Sequence, residues 1–296
     1  MMLVVFDIGG TRMRAARSAA PGVVEPLGEV PTPGGDFGAF VQALAGFLRG
    51  DEVGVALSVP GCFDPDTGRA IIANIPCLDG RRVEVELSAA LGLPVRVFND
   101  ADCFAMAETG PGGAAEGLRN VFGIILGTGV GGGLIVDGRL VAGPGGYAGE
   151  WGHGPVLNER PLGREVPRFT CGCGQVGCLD TVGGARGLER LHRHLTGEEV
   201  TSQEVLAGWH GGDVGTVEVW LDLVAGPLAM VLNTVGAQLV PVGGGLSNDE
   251  GLIAALDTAV RARVLRRTDA PLVVRAKHRV EPGLIGASMA GWSHVD

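Results

Sequence analysis

The alternation of apolar and polar positions divides the chain into strands and helices in a repeating order. Leu3-Val4-Val5-Phe6 reads as a buried strand running into Asp7-Ile8-Gly9-Gly10-Thr11, and Met13 to Arg17 reads as its hairpin partner. Asp36 can cap a helix whose apolar residues Phe37, Phe40, Val41, Leu44, Phe47 and Leu48 follow a helical period, with Gly50 as its stop. Val53 to Leu57 and Val95 to Phe98 read as further strands, the second passing through Asn99-Asp100 into a helix over 101–108. Then come strands at 121–126 and 131–136 and a loop-rich stretch over 143–178. Helices follow near 181–194, 202–210 and 213–237, then a strand at 239–242, a helix at 249–265, a strand at 272–274 and a last helix near 282–292. Pro227 is expected to kink or break the helix that contains it.

Each half of the chain opens alike, with an apolar strand, a Gly-rich turn and a second strand. That echo predicts an α/β protein of two related lobes. Thr109 to Gly117 (TGPGGAAEG) is small, polar and rich in Gly and Pro, and reads as the linker. It gives a small lobe over 1–117 and a large lobe from 118 onward.

Composition narrows the classes. Glycine supplies 52 of 296 residues, about 18% against a usual share of about 7%. Because 46% of the chain is hydrophobic and no Gly-X-Y period occurs, neither collagen nor a disordered Gly-rich chain fits. No stretch approaches the length of a membrane span free of Gly, Pro or charge. The net charge of −10 makes nucleic acid and an anionic membrane poor partners. Met1 leads into an apolar run too short for a secretory signal, so a cytoplasmic location with reduced cysteines is expected.

Several segments carry candidate chemistry. In the turn Asp7 to Thr11, glycines let backbone N–H groups approach a phosphate, and a strand-end carboxylate can hold Mg²⁺; an ordinary hairpin turn is the alternative. Gly127, Gly129 and Gly132 match a dinucleotide fingerprint, but Leu134-Ile135-Val136 reads as a strand where that motif needs a helix. A hairpin of bare N–H groups that grips phosphate remains. Asn99-Asp100, at a strand-to-helix passage, offers either a helix cap or a general base. Val242-Gly243-Gly244-Gly245 lets an adenine or phosphate approach the backbone, or is a plain turn. Cys171, Cys173 and Cys178 lie within eight residues, and His153 is the best fourth ligand for a closed, structural zinc site. Glu150 and Asp180 flank that cluster, either as solvated loop acids or as carboxylates that accept hydrogen bonds from sugar hydroxyls.

Together DIGGT (7–11), SVPG (58–61), NIP (74–76), LPVRVFNDADCFAMAE (93–108), ILGTGVGGGL (125–134), GEWGH (149–153), CGCGQVGCLD (171–180) and VGGGLSN (242–248) resemble the ROK family of bacterial sugar kinases, within the actin-like ATPase superfamily. The FNDADCFAMAE and LGTGVGGGLI segments are most similar to the family's N-acetylglucosamine kinases. The resemblance implies a two-lobed, ribonuclease H-like α/β fold with its active site between the lobes. The small lobe would be completed by a C-terminal helix over 283–296, leaving 118–282 to the large lobe. It implies ATP-dependent phosphorylation of a sugar 6-hydroxyl, with ATP and Mg²⁺ as cofactors beside the zinc. N-acetyl-D-glucosamine is the expected sugar; a glucokinase, an N-acetylmannosamine kinase and a non-catalytic sugar sensor are the alternatives. Asp100 matches the catalytic base; Asn99, Gly61, Asn74, Glu150, His153 and Asp180 match sugar-side positions. Asp7, Gly9, Gly10, Thr11 and Arg12 match the first phosphate loop, and Gly127, Thr128, Gly129, Gly131, Gly132 and Gly133 the second. Gly243, Gly244 and Gly245 match the adenosine end. The family usually has Glu where Asp180 stands and Lys where Arg12 stands. Its repressors carry a DNA-binding segment before the first loop, for which Asp7 leaves no room. A homodimer or homotetramer is implied.

Overall fold

The structure is a computed structural model that describes residues 1–213 and 215–295. Its strands are β1 (Leu3–Ile8), β2 (Arg12–Ala20), β3 (Val23–Pro31), β4 (Gly54–Val59), β5 (Cys62–Phe63), β6 (Ala70–Ile71), β7 (Val95–Asn99), β8 (Val121–Leu126), β9 (Val130–Val136), β10 (Arg139–Leu140), β11 (Val240–Gly243) and β12 (Val273–Arg275). Its helices are α1 (Phe37–Ala45), α2 (Val83–Leu91), α3 (Asp100–Thr109), α4 (Asp180–Gly183), α5 (Ala185–Thr196), α6 (Ser202–His210), α7 (Thr216–Val235), α8 (Glu250–Arg261) and α9 (Pro282–Trp292). Two five-stranded sheets share one plan. The first has the order β3-β2-β1-β4-β7 and the second β10-β9-β8-β11-β12. In each, an antiparallel hairpin comes first and parallel strands are then added to its opening strand. The internal echo in the sequence is this repeated plan.

The chain divides into two compact units. The first holds Met1–Gly117, Gly133–Ala148 and Lys277–Asp296; the second holds Leu118–Gly132 and Gly149–Ala276. Asp296, the last residue of the expected closing segment, lies outside the described residues. The segment 133–148, expected in the large lobe, groups with the first unit.

In the first unit the period-two pattern of β1 separates two cores. Val4, Phe6 and Ile8 pack with Phe40 and Leu44 of α1 and with Val83 and Leu87 of α2. Leu3 and Val5 pack on the other face, with Cys103 of α3 and Leu284 and Ala287 of α9. Asp7 is next in that second series. The apolar face against α3 and α9 therefore ends in a carboxylate, and this places the first candidate site. Gly286 of α9 lies against the Cys103 carbonyl so closely that a Cβ would overlap it.

Several expectations are corrected. The helix capped by Asp36, whose side chain accepts the Ala39 N–H at 2.8 Å, ends at Ala45 rather than near Gly50. The stretch 181–194 forms two helices broken at Gly184. The helix expected over 213–237 spans Thr216–Val235, and Val214 lies outside the described residues. It continues through Pro227, because burial of Trp220, Leu223, Val224, Leu228 and Leu232 on both sides outweighs one lost hydrogen bond. α7 is long and apolar enough to cross a membrane by composition, but more than half of it is buried in this fold. β3 and α2 lacked a readable pattern: Pro26 and Gly28 interrupt the one, and only Val83 and Leu87 are buried on the other.

Candidate active site and metal centre

In the first unit a cavity of about 400 Å³ is lined by Asp7, Gly9, Gly10, Thr11, Arg12, Arg14, Pro60 and Asp100. The turn that forms one wall is closed by the Gly9 N–H to the Arg12 carbonyl, at 2.9 Å, and by the Thr32 hydroxyl to the Gly9 carbonyl, at 2.7 Å. A Cβ on Gly10 would stand 3.1 Å from the Asn74 carbonyl oxygen, so Asn74 lies beside this turn. Ser58 Oγ donates to Asp7 Oδ1 at 3.2 Å. Burial raises the Asp7 carboxyl above its ordinary value and Asp100 adds to the rise, against the Ser58 hydroxyl and Arg14. Gly283 of α9 approaches so closely that a Cβ there would overlap the Asp7 carboxylate.

Asp100 is the first residue of α3. Asn99 is the N-cap: its Oδ1 accepts the N–H of Ala101 at 2.8 Å and of Asp102 at 3.2 Å, and its amide donates to the Gly61 carbonyl at 2.9 Å. The cap reading of Asn99 thus holds, with the base reading left to Asp100. Gly61 has φ 132°, and a Cβ would come 2.7 Å from the Ile71 carbonyl oxygen.

In the second unit Gly127, Thr128 and Gly129 form the turn between β8 and β9, with a strand and no helix after them. Gly184 packs on Gly129, Gly244 packs on Leu126, and the Ala185 N–H binds the Gly127 carbonyl at 2.7 Å. α5 therefore starts at this turn. Gly131 gives its carbonyl to Trp151 Nε1 at 3.0 Å. Gly132 and Gly133 are buried in β9, where close neighbours leave no space for a Cβ. Close packing is thus one reason for glycine at these two positions. Gly243 is likewise buried at the end of β11, while Gly244 and Gly245 are exposed.

His153, Cys171, Cys173 and Cys178 also meet in this unit. Their ligand atoms lie within 4.8 Å of one another. Cys171 Sγ is 3.6 Å from His153 Nδ1, and Cys173 Sγ is 3.6 Å from Cys178 Sγ. Bonds of about 2.3 Å to a tetrahedral zinc place ligand atoms roughly 3.6–3.8 Å apart, so the donor set fits. Burial pushes the Cys171 thiol up to about 12, while the Gln175 backbone N–H brings exposed Cys173 down to about 7. Glu150 Oε2 lies 3.6 Å from His153 Nε2, where it can orient the ring from behind. Asp180 Oδ1 accepts the Val130 N–H at 2.8 Å, its own N–H binds the Gly152 carbonyl at 2.9 Å, and its Oδ2 is 3.8 Å from Cys171 Sγ. It ties the cysteine loop to the glycine turn. The family resemblance implied a sugar-side position for Asp180; the link to Val130 is visible only in the structure.

The ROK family profile matches residues 4–291. The chain belongs to the ROK family. An N-acetyl-D-glucosamine kinase of Pasteurella multocida is 36% identical, over 96% of this chain and 97% of its own. A ROK hexokinase structure from Thermus thermophilus superposes with TM-score 0.82 at 30% identity, covering 98% of this chain and 97% of that one. A ROK glucokinase structure from Streptomyces griseus, in complex with glucose and AMPPNP, gives TM-score 0.74 at 26% identity, covering 97% and 98%. The fold of this ROK chain is accordingly the actin-like ATPase fold.

Sequence reasoning missed Arg14 and Ser58, which line or touch the first cavity. The strand register is the signal that finds them. It also missed Glu108, fully buried on α3, whose carboxylate accepts the N–H groups of Ala114, Lys277 and His278 at 2.8, 3.1 and 2.7 Å. A buried acid at a helix end looks like a surface acid in local sequence.

Proposed function

We propose that this chain is an ATP-dependent sugar kinase that phosphorylates the 6-hydroxyl of N-acetyl-D-glucosamine. The observation that carries the reading is the shared cavity of Asp7, Asp100 and the Gly9-Gly10-Thr11 turn. Membership of the ROK family supports sugar phosphorylation, and the name of the Pasteurella relative supports the amino sugar.

Asp100 is the general base. It accepts the proton of the sugar hydroxyl as that oxygen attacks the γ-phosphorus and ADP leaves. Gly10 and Thr11 offer backbone and hydroxyl donors to phosphate oxygens, Gly9 closes the turn that presents them, and Arg12 adds a guanidinium. Asp7 would hold Mg²⁺, which supplies charge neutralisation to the phosphates. The fit lies in Asp7 itself, a half-buried carboxylate beside a second one, whose raised pKa a cation relieves. In the second unit the Gly127 N–H closes its turn onto the Gly129 carbonyl at 3.0 Å, which leaves Thr128 and Gly129 to offer N–H groups, and exposed Gly244 and Gly245 allow close approach of the adenosine. The sugar-side candidates are Asn74 and Gly61 in the first unit, with the Asn99 amide holding the Gly61 carbonyl, and Glu150 and His153 in the second. His153, Cys171, Cys173 and Cys178 would hold a structural zinc, four protein donors filling a tetrahedral site.

The test is sugar-dependent ADP formation over N-acetylglucosamine, N-acetylmannosamine, glucose, fructose and allose. The highest kcat/KM is expected for N-acetylglucosamine. Preference for glucose would move the substrate assignment, and no ADP with any sugar would overturn the kinase reading.

A further inference from the structure

The strand register places four polar side chains in one row. Asp7 on β1 is opposite Arg14 on β2, and Arg14 is opposite Glu29 on β3. On its other side Asp7 is in register with Ser58 on β4. Side chains in register across neighbouring strands point to the same face. The row Glu29, Arg14, Asp7, Ser58 is thus the polar end of the face that Leu3, Val5, Ala16 and Ala56 cover with apolar contacts.

Arg14 lines the cavity with Asp7 and Asp100. Its side chain is about half exposed, so packing does not fix it. It is held by Glu29: Nε donates to Oε2 at 3.2 Å, while Oε1 of the same carboxylate binds Arg12. That bond uses one of the five donors of a guanidinium. The positive charge of Arg14 also reaches Asp7 and opposes the effect of burial there. A phosphate entering this cavity meets two carboxylates, so it needs cations from the chain. A planar guanidinium suits phosphate oxygens in a bidentate way.

We infer that Arg14 is a phosphate-binding residue of the first cavity, held ready by Glu29 and exchanging that carboxylate for the phosphoryl group of the substrate or product. The inference rests on the kinase reading of the cavity. Glu29 competes with phosphate for the same fork, so it sets how tightly the product is kept.

Calorimetry with full-length protein tests this directly, with inorganic phosphate and N-acetylglucosamine 6-phosphate as probes and N-acetylglucosamine as the control. Arg14→Ala should weaken binding of both phosphate probes about tenfold or more, the usual worth of a charge-assisted contact, and leave the free sugar unaffected. Arg14→Lys should recover part of the loss. Glu29→Gln should tighten phosphate binding. In turnover, Arg14→Ala should lower kcat with an unchanged KM for sugar. Thermal melts check that each variant folds, and Glu29→Gln leaves the arginine itself in place. Unchanged phosphate binding in Arg14→Ala, or an equal loss for sugar and sugar phosphate, would overturn the inference. Wild-type protein that turns over no sugar would instead overturn the kinase reading, and the inorganic phosphate arm would still report on Arg14.

Discussion

Asp7 sits at the end of an apolar strand face, beneath Gly283 and near Asp100. Burial raises its carboxyl above the ordinary value. The stability tied to the protonated form is complete below the unfolded value of about 3.9 and is lost as pH rises through the higher folded value. Asp7→Asn should therefore melt at higher temperature than wild type at pH 7, with the gap shrinking toward pH 4, while phosphorylation is lost. A gap that stays constant with pH would remove the titration from the explanation. Asp100→Asn should keep the fold and lower kcat by roughly 10² to 10⁴, the size of a general-base contribution. Circular dichroism and steady-state rates check the two halves of that statement. Local sequence left Asn99-Asp100 open between a helix cap and a base; the choice of Asp100 came from the family resemblance, and the structure puts Asn99 at the cap. Arg14 was not legible, since its role needs the register of three strands.

At the scale of elements, α9 is pressed against α3 through glycine. Gly286→Ala would place a methyl group on the Cys103 carbonyl, and the helices must separate. The expected loss is roughly 1–3 kcal/mol or more, the cost of overpacking a core, read from denaturant unfolding. The cysteine loop has a second consequence. Asp180 joins it to the Gly127-Thr128-Gly129 turn through Val130, so the cysteine loop and the glycine turn share one carboxylate. Asp180→Ala should raise the KM for ATP more than that for sugar. Cys173→Ser should lose the zinc that elemental analysis of fresh wild-type protein is expected to find in stoichiometric amount. The meeting of His153 with Cys171, Cys173 and Cys178 was readable from the sequence, because three thiols in one Gly-rich loop call for a fourth ligand. The Asp180 link was hidden, because a carboxylate next to a metal loop has the same local sequence whether it meets a sugar or a backbone N–H.

For the whole molecule, the repeated opening of strand, glycine turn and strand announced two sheets of one plan, and the structure has them. The period-two and helical patterns found the buried strands and the long helices. They failed at β3, where Pro26 and Gly28 interrupt the pattern, and at α2, where two buried residues are too few to mark a stripe. The return of the chain at α9 was implied by the resemblance alone; the contacts of Leu284 and Ala287 with Leu3 and Val5 are its physical basis. The central claim, transfer to a sugar with Asp100 as base, is met most directly by one measurement. ATP carrying a labelled γ-phosphate is incubated with N-acetylglucosamine and wild-type or Asp100→Asn protein, and the products are separated. The label should appear on the 6-oxygen of the sugar with wild type and fall by at least about a hundredfold in rate with the variant. Label released as inorganic phosphate regardless of sugar, or transfer by the variant at near-normal rate, would contradict the account.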